Sequence, residues 1–194
     1  MKTPLIYQMT AYDCGPTSVI NAFRQLFDRK ELPPDLLKMI WNACLDEYEE
    51  GKAFRGGTSM HAFRFLHEQI TAYTQLVDFP AETAFLCREE VHLKEGSPLV
   101  QWVQEGGAAV VRIRLSGGHY VLVTSIDDEK VYLFDPYMEN LFPVKGVEFH
   151  MENSRDYNVI VDRKRFDSYE EKAFMMAETE LRTAFLIRRK DTEN

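Results

Sequence analysis

The pattern of apolar residues changes near residue 107 of this chain, and this change constrains the fold more than any other feature. Before it, apolar residues recur every three or four positions, which predicts helices over about 15–27, 34–48, 58–70 and 97–106, with another around 82–90. After it, short runs rich in valine and aromatic residues at about 109–115, 120–126 and 131–134 alternate with turn residues. This second pattern predicts an antiparallel meander.

The last third of the chain mixes the two patterns. Strands are predicted at about 158–161 and 183–188, and Ser168 with Glu171 forms the capping-box pattern of a helix that runs to about residue 181. Helices that precede a sheet are typical of the α+β class, so the sequence predicts N-terminal helices packed on an antiparallel sheet. A length of 194 residues fits a single domain over 1–194.

Composition argues against several classes of function. The net charge of -8 leaves no large basic surface to neutralise phosphates, so nucleic acid is not expected as a partner. Cys14, Cys44 and Cys87 are too few and too far apart for a disulfide framework or a structural zinc site, and no cofactor or metal is expected. The sequence has neither a signal-peptide core nor a run of ~18 apolar residues. We therefore expect a cytoplasmic protein without a membrane partner, although export without a leader stays compatible with the sequence.

Cys14 is the residue at which chemistry is most expected. The run Tyr12-Asp13-Cys14-Gly15-Pro16 directly precedes the first periodic apolar stretch, so the thiol falls on the first turn of a helix, with Asp13 or Gly15 as its N-cap. Free N–H groups and the positive end of the helix dipole favour a thiolate at this position.

Cys44 and Cys87 have less reactive settings. Cys44 lies on the apolar face of the second predicted helix, which indicates core packing, and Cys87 falls in a helix-like run without a nearby base. We expect both to be dispensable for activity.

His119 and Asp135 supply the groups that a nucleophilic cysteine needs. His119 follows two glycines at the start of a predicted strand, and Asp135 ends the next strand. In an antiparallel hairpin that turns near 127–129, the start of one strand lies beside the end of the next, so the two side chains can meet. The carboxylate would then fix the imidazole tautomer. Cysteine, histidine and aspartate in this order predict a nucleophile, a base and an orienting group.

These motifs resemble a known family when taken together. Gln8, the run Asp13-Cys14-Gly15-Pro16, the pair His119-Tyr120 and the pair Asp135-Pro136 are similar to the bacteriocin-processing, double-glycine-leader peptidases, cysteine-peptidase family thirty-nine. The resemblance is closest to their stand-alone relatives and implies a papain-like fold. It spans residues 6–137, and residues 142–194 are interpreted as a family-atypical extension of the same domain.

The resemblance also implies a role for each residue. Cys14 would be the nucleophile, His119 the base and then the acid, Asp135 the orienting group, and Gln8 a donor to the oxyanion. Without the resemblance, Gln8 would be an ordinary polar residue near the N-terminus. A donor beside the thiol agrees with the physical need to hold the negative charge of the oxyanion.

Three functions are compatible with this set of residues. The leading one is hydrolysis of a peptide or isopeptide bond in a peptide or protein substrate, through an acyl-enzyme. The second keeps the acyl-enzyme and changes the chemistry to deamidation or acyl transfer. The third is a peptide-binding module whose thiol is idle. Leader-peptide processing itself does not transfer, because the chain lacks the transporter domains that accompany it in the family's transporter members.

Overall fold

An antiparallel sheet lies at the centre of the structure, between two layers of helices and loops. The computed structural model describes residues 4–115, 117–138, 142–150, 156–170 and 172–190. The helices in these residues are α1 (Cys14–Leu26), α2 (Pro34–Ala43), α3 (Met60–Leu76), α4 (Pro98–Gln104) and α5 (Arg163–Phe166). The strands are β1 (Tyr48–Glu49), β2 (Lys52–Ala53), β3 (Ala81–Cys87), β4 (Ala108–Ile113), β5 (His119–Ile126), β6 (Lys130–Phe134), β7 (Val147–Phe149), β8 (Val159–Asp162) and β9 (Thr183–Arg189).

The main sheet has the strand order β3-β9-β4-β5-β6-β8-β7, and every neighbouring pair is antiparallel. Strands β4, β5 and β6 form the predicted meander. Strand β9 lies between β3 and β4, so the end of the chain enters the sheet between two strands that precede it by many residues. Strands β1 and β2 form a separate two-stranded hairpin between α2 and α3.

Side chains on the two faces of the sheet build two separate cores, because successive residues of a strand point to opposite faces. Val110, Leu122 and Phe185 belong to the face covered by α1, α2 and α3. Val111 and Val121 belong to the opposite face, which α4 and the segments after β6 cover.

The predicted α+β class, with N-terminal helices on an antiparallel sheet, is confirmed. Helices α1, α2 and α3 pack on one face of this sheet, as the apolar periodicity of the first half predicts. Ser59 caps α3 by accepting a hydrogen bond from the Ala62 N–H at 3.0 Å, and Ser97 caps α4 in the same way.

The helix predicted over about 82–90 is wrong. Residues 81–87 form strand β3, which pairs with β9 along its whole length, and only a single 3-10 turn, Arg88–Glu90, follows it. The local sequence contains good helix formers, but β9 comes almost one hundred residues later and supplies the ladder that decides the conformation.

The helix predicted from Ser168 to about residue 181 is also wrong. The described residues of this segment hold one 3-10 turn, Thr179–Leu181, and a bridge that pairs Met176 with Ile113 at the end of β4. Glu171, the second half of the predicted capping box, lies outside the described residues. The buried guanidinium of Arg182 donates to the carbonyls of Ala177 and Ser168, and these contacts hold the segment in a non-helical path.

Candidate active site

The N-terminus of α1 presents Cys14 to the sheet. Cys14 is the first residue of the helix and is 7% exposed. The first helical hydrogen bond runs from the Thr17 N–H to the Asp13 carbonyl at 3.1 Å, which leaves the Cys14 and Gly15 N–H groups without an acceptor inside the helix. A Cβ at Gly15 would lie 2.4 Å from the Thr58 hydroxyl oxygen, so glycine lets the segment before α3 approach this first turn closely.

Asp13 organises the loop that precedes the helix. It occupies the N-cap position, but its side chain makes no cap hydrogen bond to α1. Its buried carboxylate instead accepts from the Met9 N–H at 2.9 Å and from the Thr10 N–H at 2.7 Å, and also from the Thr10 hydroxyl. This contact fixes the loop of Gln8 relative to Cys14. Sequence reasoning considered Asp13 only as a cap and missed this role.

His119 and Asp135 meet as the hairpin geometry predicts. His119 Nε2 lies 2.7 Å from Asp135 Oδ1, and both side chains are buried. The other ring nitrogen, Nδ1, is left for a second partner, and the Cys14 side chain is close enough to act on the charge of His119. The structure therefore brings Cys14, His119 and Asp135 into one group of interacting side chains.

The surroundings of His119 favour its charged form. Burial alone lowers the pKa of His119, but the charge and hydrogen bond of Asp135, together with Cys14, outweigh burial and raise this pKa from 6.5 to about 10. His119 is thus an imidazolium at neutral pH.

Gln8 lies at the edge of this group. Its backbone N–H donates to the Pro136 carbonyl at 2.9 Å, which ties it to the residue after Asp135. Its side-chain Nε2 donates to the Thr10 carbonyl at 2.6 Å. An amide nitrogen carries two hydrogens, so one N–H is left for a further acceptor. A cavity of about 610 Å³ adjoins Gln8 and is lined also by Tyr137 and Met138.

Asn158 holds the backbone of Asp135 in place, and sequence reasoning missed this contact. Asn158 is fully buried directly before β8. Its side chain accepts from the Asp135 N–H at 2.7 Å and donates to the Asp135 carbonyl at 2.8 Å. Asp135 Oδ1 also accepts from the Tyr137 N–H at 2.8 Å. A single asparagine at the start of a predicted strand gives no local signal of this contact, because its partner lies 23 residues away.

The other two cysteines occupy different settings. Cys44 is buried against the core, and burial raises the pKa of its thiol, which keeps the sulfur protonated. Cys87 is half-buried at the end of β3, with Arg64 at 3.9 Å and Glu90 at 3.8 Å. Among the described residues, neither has a histidine as a hydrogen-bond partner.

A thiol at a helix N-terminus that interacts with an imidazole held by a buried carboxylate is an arrangement of the cysteine-peptidase type. The model of the Peptidase_C39 like family matches residues 1–159. The chain therefore belongs to this family, and the predicted resemblance is confirmed. Membership supports a function of the cysteine-peptidase type.

Comparison with other known proteins adds two findings. A search of the curated proteins gives no match. Among solved structures, the chain is similar to a double glycine motif protease from an AMS/PCAT transporter, crystallised in complex with the leader peptide. The identity is 15%, the alignment covers 97% of this chain and 91% of that chain, and the TM-score is 0.47.

One further finding concerns membranes. Across the residues described above, no helix combines the length and the apolar character needed to cross a bilayer. The cytoplasmic location predicted from the sequence stays a prediction.

Proposed function

We propose that this protein is a thiol hydrolase that cleaves a peptide or isopeptide bond, with Cys14 as nucleophile, His119 as acid and base, and Asp135 as orienting group. The observation that carries the proposal is the pairing of the buried His119 with Asp135 at 2.7 Å, together with Cys14 at the start of α1, whose side chain interacts with His119. Membership of the Peptidase_C39 like family supports the same class of chemistry.

The reaction follows from this geometry in two steps. The Cys14 thiolate attacks the substrate carbonyl carbon, and the oxygen becomes an oxyanion that the Cys14 backbone N–H and the Gln8 amide stabilise. The C–N bond then breaks as the His119 imidazolium gives its proton to the leaving amine. This leaves a thioester on Cys14 and a neutral imidazole.

Water completes the cycle. His119 takes a proton from water, the resulting hydroxide attacks the thioester, and the C–S bond breaks to release a carboxylic acid and the thiolate. Asp135 keeps Nε2 as its own partner throughout, which leaves Nδ1 for the sulfur and for the incoming water.

A peptide-library digestion tests the proposal. The wild-type protein and Cys14→Ala are incubated with a diverse synthetic peptide mixture in H₂¹⁸O, and the products are identified by mass spectrometry. Hydrolysis predicts new C-termini that carry ¹⁸O from the solvent and that are absent with Cys14→Ala.

Other results lead to different conclusions. Products in which an added amine replaces the leaving group would assign the acyl-enzyme to transfer instead of hydrolysis. Stoichiometric binding of peptides without any product would assign the protein to the peptide-binding class and contradict the proposal.

A further inference from the structure

Arg112 carries a cation for which the described part of the chain supplies no counter-charge. Its side chain is half-buried near the end of β4, with the guanidinium carbon 5.9 Å from the centre of the Tyr120 ring. Within the described ranges, no hydrogen-bond acceptor or carboxylate pairs with this guanidinium. The neighbouring Arg114 differs, because it pairs with Glu178. A half-buried guanidinium that faces an aromatic ring but no anion of the described residues is suited to a ligand that supplies one.

The glycine before His119 makes room for this cation. A Cβ at Gly118 would lie 2.8 Å from Arg112 Nη2 and 3.0 Å from Nε, and the backbone there has a φ of +128° that favours glycine. The guanidinium therefore rests against the residue next to His119. An anion bound by Arg112 would lie beside the candidate active site.

A cavity of about 420 Å³ opens at this position. Its lining includes Arg112, the two glycines that precede His119, and the exposed apolar side chains of Phe142 and Leu181. Glu178 also lines it, but its carboxylate is engaged by Arg114. The described lining thus combines the Arg112 cation, which has no anionic partner there, with apolar surface, in a protein whose net charge is -8.

We propose that Arg112 determines substrate specificity by binding the carboxylate of a glutamate or aspartate side chain in the peptide substrate. This inference rests on the proposed peptidase function. A planar guanidinium binds a carboxylate through two parallel hydrogen bonds, and Phe142 with Leu181 offers apolar contact to the methylene groups or neighbouring residues of the substrate. The position next to Gly118 favours a side chain close to the scissile bond over a free small anion.

Matched peptides test the inference. A cleaved library peptide is scanned with glutamate at each position near the scissile bond, and the best glutamate peptide is compared with its glutamine counterpart. For the wild-type protein, the glutamine peptide should lose about 10- to 100-fold in kcat/KM, because a charge-assisted pair is replaced by a neutral one. Arg112→Gln should cleave both peptides at the rate of the wild type on glutamine. Arg112→Lys should restore part of the preference.

Arg29→Gln is the control, since it removes an equal charge from an exposed turn remote in sequence from the cavity and should keep the wild-type preference. Thermal melting of each variant verifies folding. A wild-type protein that does not distinguish glutamate from glutamine at any position overturns the inference, and so does an Arg112→Gln protein that keeps the preference.

The same peptides separate this inference from the peptidase proposal. Their binding to Cys14→Ala is measured by fluorescence anisotropy with the Arg112 variants in that background. Arg112-dependent binding of the glutamate peptide without cleavage by the wild type would contradict the peptidase proposal and leave the carboxylate-binding role of Arg112 in place. Cleavage that shows no dependence on Arg112 in either binding or turnover would contradict the carboxylate-binding role of Arg112 alone. If neither the binding of acidic peptides nor their cleavage depends on Arg112, the inference is wrong.

Discussion

Cys14 and Cys44 are both buried, yet only one of them has a basic partner. Cys14 contacts His119 at the positive end of a helix, whereas burial raises the pKa of Cys44 and leaves it protonated. We expect Cys14→Ala to lower kcat by about 10⁶. Cys44→Ala and Cys87→Ala should keep near wild-type turnover. Alkylation by iodoacetamide followed by mass spectrometry should label Cys14 first, and loss of that labelling in well-folded Cys44→Ala or Cys87→Ala would show that the nucleophile is misassigned.

Asp135 determines the pH range over which His119 is charged. Because the pKa of His119 is raised to about 10, the imidazolium that protonates the leaving amine is present below this pH and is lost above it. Turnover by the wild type should therefore fall as pH rises through about 10. Asp135→Asn removes the charge that raises this pKa, so the alkaline fall should move to lower pH, and kcat should drop by up to about 10⁴.

The measurement is kcat/KM as a function of pH from 5 to 11. Asp128→Asn is the control, because it removes an exposed carboxylate from the turn between β5 and β6 and should leave the profile unchanged. An alkaline limit that is identical in wild type and Asp135→Asn would exclude the assigned role of Asp135.

Substitution of Gln8 tests whether its side-chain amide stabilises the oxyanion. Its backbone is held by Pro136 and its side chain by Thr10, so the remaining amide hydrogen has a defined direction. Gln8→Ala should lower kcat by about 10²–10³ and leave alkylation of Cys14 nearly unchanged, since alkylation forms no oxyanion. Gln104→Ala, at the exposed end of α4, is the matched control. Full turnover by a folded Gln8→Ala protein would assign the oxyanion to backbone N–H groups alone.

At the scale of elements, the candidate site lies where the starts of α1 and β5 meet the end of β6. The residue directly before β8 holds the end of β6 in place. Asn158 bonds both the N–H and the carbonyl of Asp135. Asn158→Ala should destabilise the protein by about 1–3 kcal/mol for each buried backbone group left unpaired. It should also lower turnover, because Asp135 loses its fixed position.

Urea unfolding and steady-state kinetics measure the two effects. Asn42→Ala, on the exposed face of α2, provides the control and should change neither quantity by much. If Asn158→Ala is as stable as the wild type, the proposed support of Asp135 does not hold.

The elements that the sequence predicts well are those whose signals are local. The presence of α3 and α4 and the meander of β4 to β6 each depend on neighbouring residues. The same holds for the meeting of His119 and Asp135, because a hairpin register relates residues that are close in sequence.

The remainder depends on partners far along the chain. Pairing with β9 determines the strand conformation of β3. The buried Arg182, which also donates to the Val91 carbonyl at 2.9 Å, determines the path of the chain before β9. Asn158 reaches Asp135 and Gly118 accommodates Arg112 only after the sheet has formed. Propensity gives no account of contacts of this kind, since tertiary packing overrides it.

At the scale of the whole molecule, the part of the chain outside the family match is built into the same sheet. The family model ends at residue 159, but β9 pairs with β3 on one side and with β4 on the other. Phe185 of β9 contributes to the core beneath α1, α2 and α3, and Leu186 contributes to the opposite core. These contacts support the prediction of one domain over 1–194.

Two tryptophans allow a direct test of this prediction. Trp41 of α2 packs against one core and Trp102 of α4 packs against the other. If the chain is one cooperative domain, the urea midpoint from fluorescence should equal the midpoint from circular dichroism in Trp41→Phe and likewise in Trp102→Phe. The two variants should also share one midpoint after correction for the stability change of each substitution. A chain ending at residue 159 should show no cooperative transition, because losing β9 exposes the edges of β3 and β4 and uncovers both cores. Two separated midpoints, or a cooperative transition in the shortened chain, would instead divide the protein into independent units.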